Sequence, residues 1–296
     1  MTEDATDEGE RAADVDVARA ASAMGSLADE DRLAILLALR DWQSLPFVEL
    51  QEAAGFADSG RFNYHLDRLL GRFVRKTDDG YELRAAGAKA VDIVTDERFG
   101  ASPPPVERAV DADCPTCGAT LRATYAEENV EVGCPDCSTL VHYGYFPPRA
   151  RTSRDPEELF DAYAKGVWRE FTLADEGVCP YCSGRMATRV ERESDHHLQY
   201  PAVSDCHDCG AEVATAVGLR LLADPAVVSF LHDHGVAVDD RPFWTFDFCI
   251  DDSDVSVVSE DPFRVAVPIE QGDERLSVTV DAAGDVVETA RTTRRK

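Results

Sequence analysis

Eight of the nine cysteines stand in four Cys-x-x-Cys pairs. Cys114 and Cys117 are separated by sixteen residues from Cys134 and Cys137. Cys179 and Cys182 precede Cys206 and Cys209 across a slightly longer loop. Two thiolates in one tight knuckle occupy one edge of a tetrahedron, and a second knuckle supplies the opposite edge. Four sulfurs at about 2.3 Å with no open position suit zinc. In a reducing compartment this spacing points to metal rather than to disulfides. The expectation is two structural Zn2+ ions, each stapling a module too small to bury a large core. A redox- or metal-sensing site, an iron–sulfur cluster and disulfide exchange are the other uses of such pairs. His142, His196, His197 and His207 lie near the cysteines, but four sulfurs per site leave them no necessary role as ligands. Cys249 stands alone among aromatic residues and reads as a buried thiol.

A second pattern is one of charge. The chain carries 57 acidic and 30 basic residues, a net −27, yet residues 61–76 hold five bases against one acid, a net +4. Arg61, Tyr64, His65, Arg68 and Arg72 recur at i, i+3, i+4, i+7 and i+11, expected on the helix face opposite Phe62, Leu66 and Leu69. Arginine can bond guanine edges or phosphates in two-point fashion. Asn63, Tyr64 and His65 add further polar groups, and Arg75 and Lys76 follow on the next element. A DNA-contacting face of Arg61, Asn63, Tyr64, His65, Arg68, Arg72, Arg75 and Lys76 is the functional reading. The plain alternative is a solvated helix face.

These residues need elements to carry them. Residues 1–10 are acidic and read as a disordered tail. Helical periodicity runs from Arg11 through Val15 and Ala18 to Ala23, and Ser26 to Asp29 reads as a capping box for a second helix containing Leu33, Leu36 and Leu37. Phe47–Ala54 makes a third helix, and Asp58 and Ser59 cap a fourth through about Leu70. Strands over 73–77 and 81–83 flank an Asp-Asp-Gly turn, and a last helix covers 85–98. Helices followed by a hairpin describe a winged helix-turn-helix over 11–100, with the fourth helix placed to enter the major groove.

A proline-rich linker at 101–110 leads to a first zinc ribbon at 111–146. Residues 147–177 read as a basic linker and a helix, 178–218 as a second zinc ribbon, and 219–290 as a mixed segment. The mixed segment is expected to hold a helix near 224–232 and strands near 243–250, 263–269, 275–281 and 285–290. The end, 291–296, is a basic tail. The fold class expected is therefore multidomain α+β: an N-terminal winged helix-turn-helix, two four-cysteine zinc-ribbon-like modules and a C-terminal mixed α/β segment.

The stretch Leu27-Ala28-Asp29-Glu30-Asp31-Arg32-Leu33-Ala34-Ile35-Leu36 resembles the opening of ArsR-type winged-helix transcriptional regulators. Arg61 to Leu69 is similar to their recognition helix, and Gly71-Arg72-Phe73-Val74 to their entry into the wing. The whole architecture, with its zinc-binding C-terminal half, resembles the ArsR-like regulators of halophilic archaea. The resemblance implies dimers that pack through the first and last helices, here Val15–Ala23 and Ala88–Val94. It also marks a departure: residues 1–113 hold no cysteine and 85–98 no histidine, so the usual metal-sensing positions are missing.

Composition adds bounds. Only four of the 30 bases are lysine, and so acidic a surface is that of a protein adapted to concentrated salt. No apolar run is long enough to span a bilayer, and the N-terminus carries five acids in ten residues, opposite in sign to a secretory signal. A cytoplasmic protein without a membrane partner is expected. No phosphate-binding loop, nucleophile elbow, zinc-protease motif or dinucleotide fingerprint is present, so no catalytic residue is assigned and no enzyme is expected. The function expected is a sequence-specific, homodimeric regulator bound to double-stranded DNA, with an effector or protein partner at the C-terminal half. Its rivals are a protein–protein adaptor of the transcription machinery using its zinc ribbons, and a nucleic-acid-processing enzyme. The basic residues Arg149, Arg151, Arg154, Arg291, Arg294, Arg295 and Lys296 could brush phosphates or remain solvated.

Overall fold

The computed structural model describes residues 16–41, 44–192 and 197–293. The expected disordered tail, Val15, His196 and the last three basic residues lie outside them. The chain divides into two compact units, one of residues 14–103 with 147–152, the other of 104–146 with 153–296.

In the first unit, helices α1 (Val17–Gly25), α2 (Glu30–Ala38), α3 (Phe47–Ala53) and α4 (Ser59–Leu69) precede a hairpin, β1 (Val74–Lys76) with β2 (Tyr81–Leu83), and then α5 (Ala85–Thr95). The short helix α6 (Pro148–Thr152) joins them. Ile35, Leu36, Leu50, Phe62, Leu66, Leu69 and Val74 form the core of this unit. Phe62 meets Phe47 and Phe56 edge-on, with centroids 4.9 and 5.3 Å apart. The α4 periodicity thus does what its spacing predicts: i, i+4 and i+7 point inward. Helix α2 starts later than the expected capping box. Its N-cap is Asp29, whose side chain accepts from the Arg32 amide. Aspartate is as good a cap as serine and lies nearer the apolar run.

The second unit opens with an antiparallel meander, β3 (Val106–Asp113), β4 (Thr120–Ala126), β5 (Asn129–Gly133) and β6 (Leu140–Tyr145). Strand β3 begins at Val106, so the linker is shorter than the expected 101–110. Leu121, Ala123 and Tyr125 alternate inward on β4, as period two requires. The helix α7 (Pro156–Asp175) is capped by Asp155 and Glu158 in a reciprocal capping box. It buries Leu159, Phe160, Tyr163, Val167 and Phe171.

A three-stranded sheet follows, β7 (Met186–Val190), β8 (Pro201–Cys206) and β9 (Glu212–Ala216), then α8 (Val217–Arg220) and α9 (Pro225–Asp233). A four-stranded meander of β10 (Ser256–Glu260), β11 (Phe263–Gln271), β12 (Glu274–Asp281) and β13 (Val286–Thr293) closes this unit.

The strand expected at 243–250 is absent: Phe243–Thr245 and Asp247–Cys249 are two tight 3-10 turns. Phe243 and Trp244 are neighbours in sequence and both buried, which an alternating strand does not allow. The Phe248 carbonyl lies so close to Gly218 that a Cβ there would sit 1.7 Å from its oxygen. The segment is therefore shaped by packing on α8, which local alternation does not encode. No helix among the described residues is long and apolar enough to cross a membrane.

Candidate metal centres and basic face

Each cysteine pair sits where a chain reversal is unavoidable. Cys114 and Cys117 occupy the β3–β4 connection, Cys134 and Cys137 the β5–β6 connection. Cys179 and Cys182 lead into β7, and Cys206 and Cys209 span the β8–β9 connection. All four turns share one backbone pattern. The amide of the first cysteine donates to the carbonyl five residues on: Cys114 to Ala119, Cys134 to Thr139, Cys179 to Gly184, Cys206 to Ala211, at 2.7–2.9 Å. The residue after the second cysteine donates back to the first cysteine's carbonyl, from Gly118, Ser138, Ser183 and Gly210. Those four residues are left-handed, with φ between 62° and 75°.

The sulfurs converge in two groups. In the first, Cys114 to Cys137 is 3.6 Å and Cys117 to Cys134 is 3.5 Å. In the second, Cys179 to Cys209 is 3.7 Å and Cys182 to Cys206 is 3.5 Å. A tetrahedron with 2.3 Å metal–sulfur bonds has an edge of about 3.8 Å. The separations match that edge and are far beyond the ~2.05 Å of a disulfide. In both groups the four ligand atoms lie within 4.8 Å of one another. The first cysteine of every pair is buried and the second exposed.

The acidities follow from four thiols competing in one space. The Thr139 hydroxyl, 3.1 Å from Cys137 Sγ, and the Thr139 amide hold Cys137 down at about 6. The Cys209 and Asp208 amides hold Cys206 at about 7. Cys117 and Cys182 are pushed up to about 12: the Ala119 and Gly184 amides favour their thiolates, but neighbouring sulfurs outweigh them. A divalent cation removes that competition by stabilising all four thiolates together. The tetracysteine sets therefore fit two metal ions.

The neighbouring histidines take other roles. His142, on β6, has Nδ1 2.7 Å from the Tyr163 hydroxyl and packs against Phe171 and Phe243. His197 Nε2 lies 3.1 Å from the Ile250 carbonyl oxygen, and His207 is exposed. Cys249 is buried, and burial pushes its thiol well above the ordinary value. It is inert by the same physics that makes exposed low-pKa thiols reactive.

The basic segment is placed by α4 and β1. Arg61, Asn63, Tyr64 and Arg68 are exposed on α4, and Arg75 and Lys76 are exposed on β1. Arg72, in the turn between them, is half-buried. The Arg68 guanidinium lies 5.3 Å from the Tyr64 ring centroid. Arg75 pairs with Glu82, and Asn63 donates to Asp67. His65 corrects the expectation. It is buried, at 9% exposure, and turns toward α2 rather than sharing the outer face. Its position, three residues from Phe62 and one before Leu66, already lies at the edge of the inward stripe.

Of the other basic residues, Arg149 pairs with Glu97, and Arg291 pairs with Asp233 and Glu274. Sequence reasoning missed Thr139, which the charge and cysteine patterns do not flag, and Asp29 and Asp31, which face His65.

The chain belongs to the family described as Domain of unknown function (DUF7351), whose model matches residues 111–286, more than half its length. A second model, Domain of unknown function (DUF7347), matches residues 20–94. The second match lies within the first compact unit, and the first match lies in the second unit except for residues 147–152. No curated protein and no solved structure matches the chain.

Proposed function

We propose that the chain is a sequence-specific DNA-binding transcriptional regulator of the ArsR-like kind, with structural zinc in its second unit. On this reading α1–α5 with the β1–β2 hairpin are a winged helix-turn-helix, α4 enters the major groove, and the hairpin is the wing. One observation carries it: in a chain of net −27, Arg61 and Arg68 on α4 and Arg75 and Lys76 on β1 are all exposed. Asn63 and Tyr64 lie beside them and supply further hydrogen-bonding groups. His65 is not among the contacts, because it is buried. The ions are zinc because four thiolates in a closed tetrahedral cage select it and leave no position for a substrate.

A second copy of the chain is the proposed partner within the assembly. Helix α1 has no buried residue, and Val17 and Met24 are 72% and 73% exposed. Ile93 and Phe99, on and just after α5, are also exposed. Placing Met24→Glu on this apolar side is expected to convert a dimer to monomer in analytical ultracentrifugation, with helix content unchanged.

The reading is tested by genome-wide DNA occupancy in cells, comparing the native chain with Arg61→Ala/Arg68→Ala. Sharp promoter peaks lost in the double variant support it. Absence of peaks, or peaks indifferent to the substitutions, overturns it in favour of an adaptor that binds protein through its metal modules.

A further inference from the structure

Arg61 stands in the first turn of α4, which begins at Ser59. Its guanidinium is held by a carboxylate from another helix. Nε and Nη2 lie 2.7 and 2.6 Å from one oxygen, Oδ2 of Asp31, in the first turn of α2. The Asp31 carboxylate is anchored in turn by the buried His65, whose Nε2 is 3.0 Å from the same oxygen. Asp31 keeps 22% of its side chain in water, whereas Arg61 keeps 65%. The ion-pair network is therefore fixed at its inner end and reaches solvent at Arg61.

Which edge of the guanidinium is occupied decides what remains. Nε–H and one N–H of Nη2 form the side of the planar fork, and Asp31 faces both. Nη1 and the second N–H of Nη2 form its end, and no described residue bonds that end. Two donors at this spacing match O6 and N7 of a guanine. Phe56, with its ring centroid 5.8 Å from Arg61 Cζ, restricts the side chain further. A side chain fixed before binding avoids the ordering cost that a free arginine meets on contact. The carboxylate also cancels the charge of Arg61, so the pair adds little to the sequence-independent attraction of phosphates. Arg68 differs: it lies against the Tyr64 ring, makes no ion pair among the described residues and keeps its full charge.

We propose that Asp31 is a positioning residue that aims Arg61 at a guanine edge in the major groove, so that Arg61 specifies a base where Arg68 holds a phosphate. The inference rests on the DNA-binding reading above and assigns a role within it. In a helix-turn-helix the N-terminal residues of the recognition helix meet base edges, and Arg61 stands there on α4. An exposed ion pair contributes little to stability. The value of this one lies in orienting the fork. Lysine cannot replace Arg61 in that task, because an ammonium is a point charge without two fixed donors.

The test begins with selection of bound duplexes from a random DNA pool by the full native chain, followed by affinities for the selected duplex and each of its single-base changes. One guanine is expected whose replacement weakens native binding about 10- to 100-fold. In Asp31→Ala and Arg61→Lys the same replacement should cost under about 3-fold, with preferences at the other positions kept. Asp31→Ala should also bind unrelated duplexes more tightly, with a salt dependence steeper by about one phosphate contact, because Arg61 is then uncompensated. A merely structural Asp31 would weaken all duplexes alike. Arg61 is exposed, so Arg61→Lys carries the base-preference test if Asp31→Ala fails to fold. A selected motif whose base preferences are unchanged in a folded Asp31→Ala or in Arg61→Lys overturns this proposal and leaves the DNA-binding reading standing. No motif selected by the native chain overturns both.

Discussion

At the scale of single residues, the four cysteine turns make a matched set with an internal control. Glycine holds the left-handed position in two of them and serine in the other two: Gly118 and Gly210 against Ser138 and Ser183. A side chain in that conformation costs about 1–2 kcal/mol. Serine must meet it because the turn is enforced by the same pair of backbone bonds. Nothing lies within 4 Å of a Cβ built on Gly118, so substitution there costs backbone energy alone. Gly118→Val is expected to destabilise the metal-loaded protein by about 2 kcal/mol, since a β-branched residue is least suited to positive φ. Ser138→Gly should change stability by under about 1 kcal/mol, because relief of strain is offset by a more flexible unfolded chain. Urea unfolding of both variants checks the contrast.

His142 gives a second residue-scale prediction. Burial lowers its pKa from 6.5 to about 4. The folded state therefore keeps the ring neutral where the unfolded chain would protonate it. Stability from this group is complete above about pH 6.5 and drains away as the pH falls toward 4, because the unfolded state then binds the extra proton. His142→Phe should lose less stability than the native chain between about pH 7.5 and about pH 5 in paired thermal melts. An equal loss in both would remove His142 as a source of acid sensitivity.

Between elements, the informative contacts are those that local pattern does not announce. Arg220, on α8, is buried with its guanidinium against Asp175 at the end of α7 and Nη1 2.8 Å from Thr188 Oγ1 on β7. Three elements meet at one charge. Burial pulls the Arg220 pKa down and the Asp175 pKa up, so the pair gains from its geometry rather than from its setting. Truncating one partner strands the other. Arg220→Ala should cost about 3 kcal/mol, the low end for a buried pair, because Asp175 keeps a third of its side chain in water. Arg220→Met should recover part of that by filling the space. Chemical denaturation of the two variants measures the difference.

The same limit explains what the sequence could tell. Helical stripes such as Phe62/Leu66/Leu69, and the alternating strands after Phe263, are periodic and short-range, so they were legible. The run from Phe243 to Ile250 alternates too, but its conformation is decided by the Phe248 carbonyl against Gly218, a contact thirty residues distant. His65 was misplaced for a related reason. A histidine on a helix reads as polar, and only the two aspartates brought by α2 make an inward position tolerable. The cysteine sites were fully legible, because metal geometry fixes ligand spacing more tightly than packing fixes any apolar pattern.

For the molecule as a whole, the two compact units differ in what holds them. The first has a continuous apolar core from Ile35 to Val91 and no cysteine. The second contains both tetracysteine groups, each tying the ends of a small sheet whose strands are five to eight residues long. Small sheets close poorly without a staple, and binding energy for a structural metal is folding energy. Stripping metal from the full chain with a strong chelator should therefore act unevenly. Amide protection in 106–145 and 186–216 should fall by orders of magnitude, while 30–38 and 59–69 keep theirs. Hydrogen exchange read by mass spectrometry resolves the segments, and re-addition of zinc should restore the lost protection. Uniform loss across α2, α4 and the sheets would mean that the apolar core of the first unit depends on the metals. Retention of protection everywhere would mean that the cysteine turns fold on their own hydrogen bonds and that the cages only dress a finished structure.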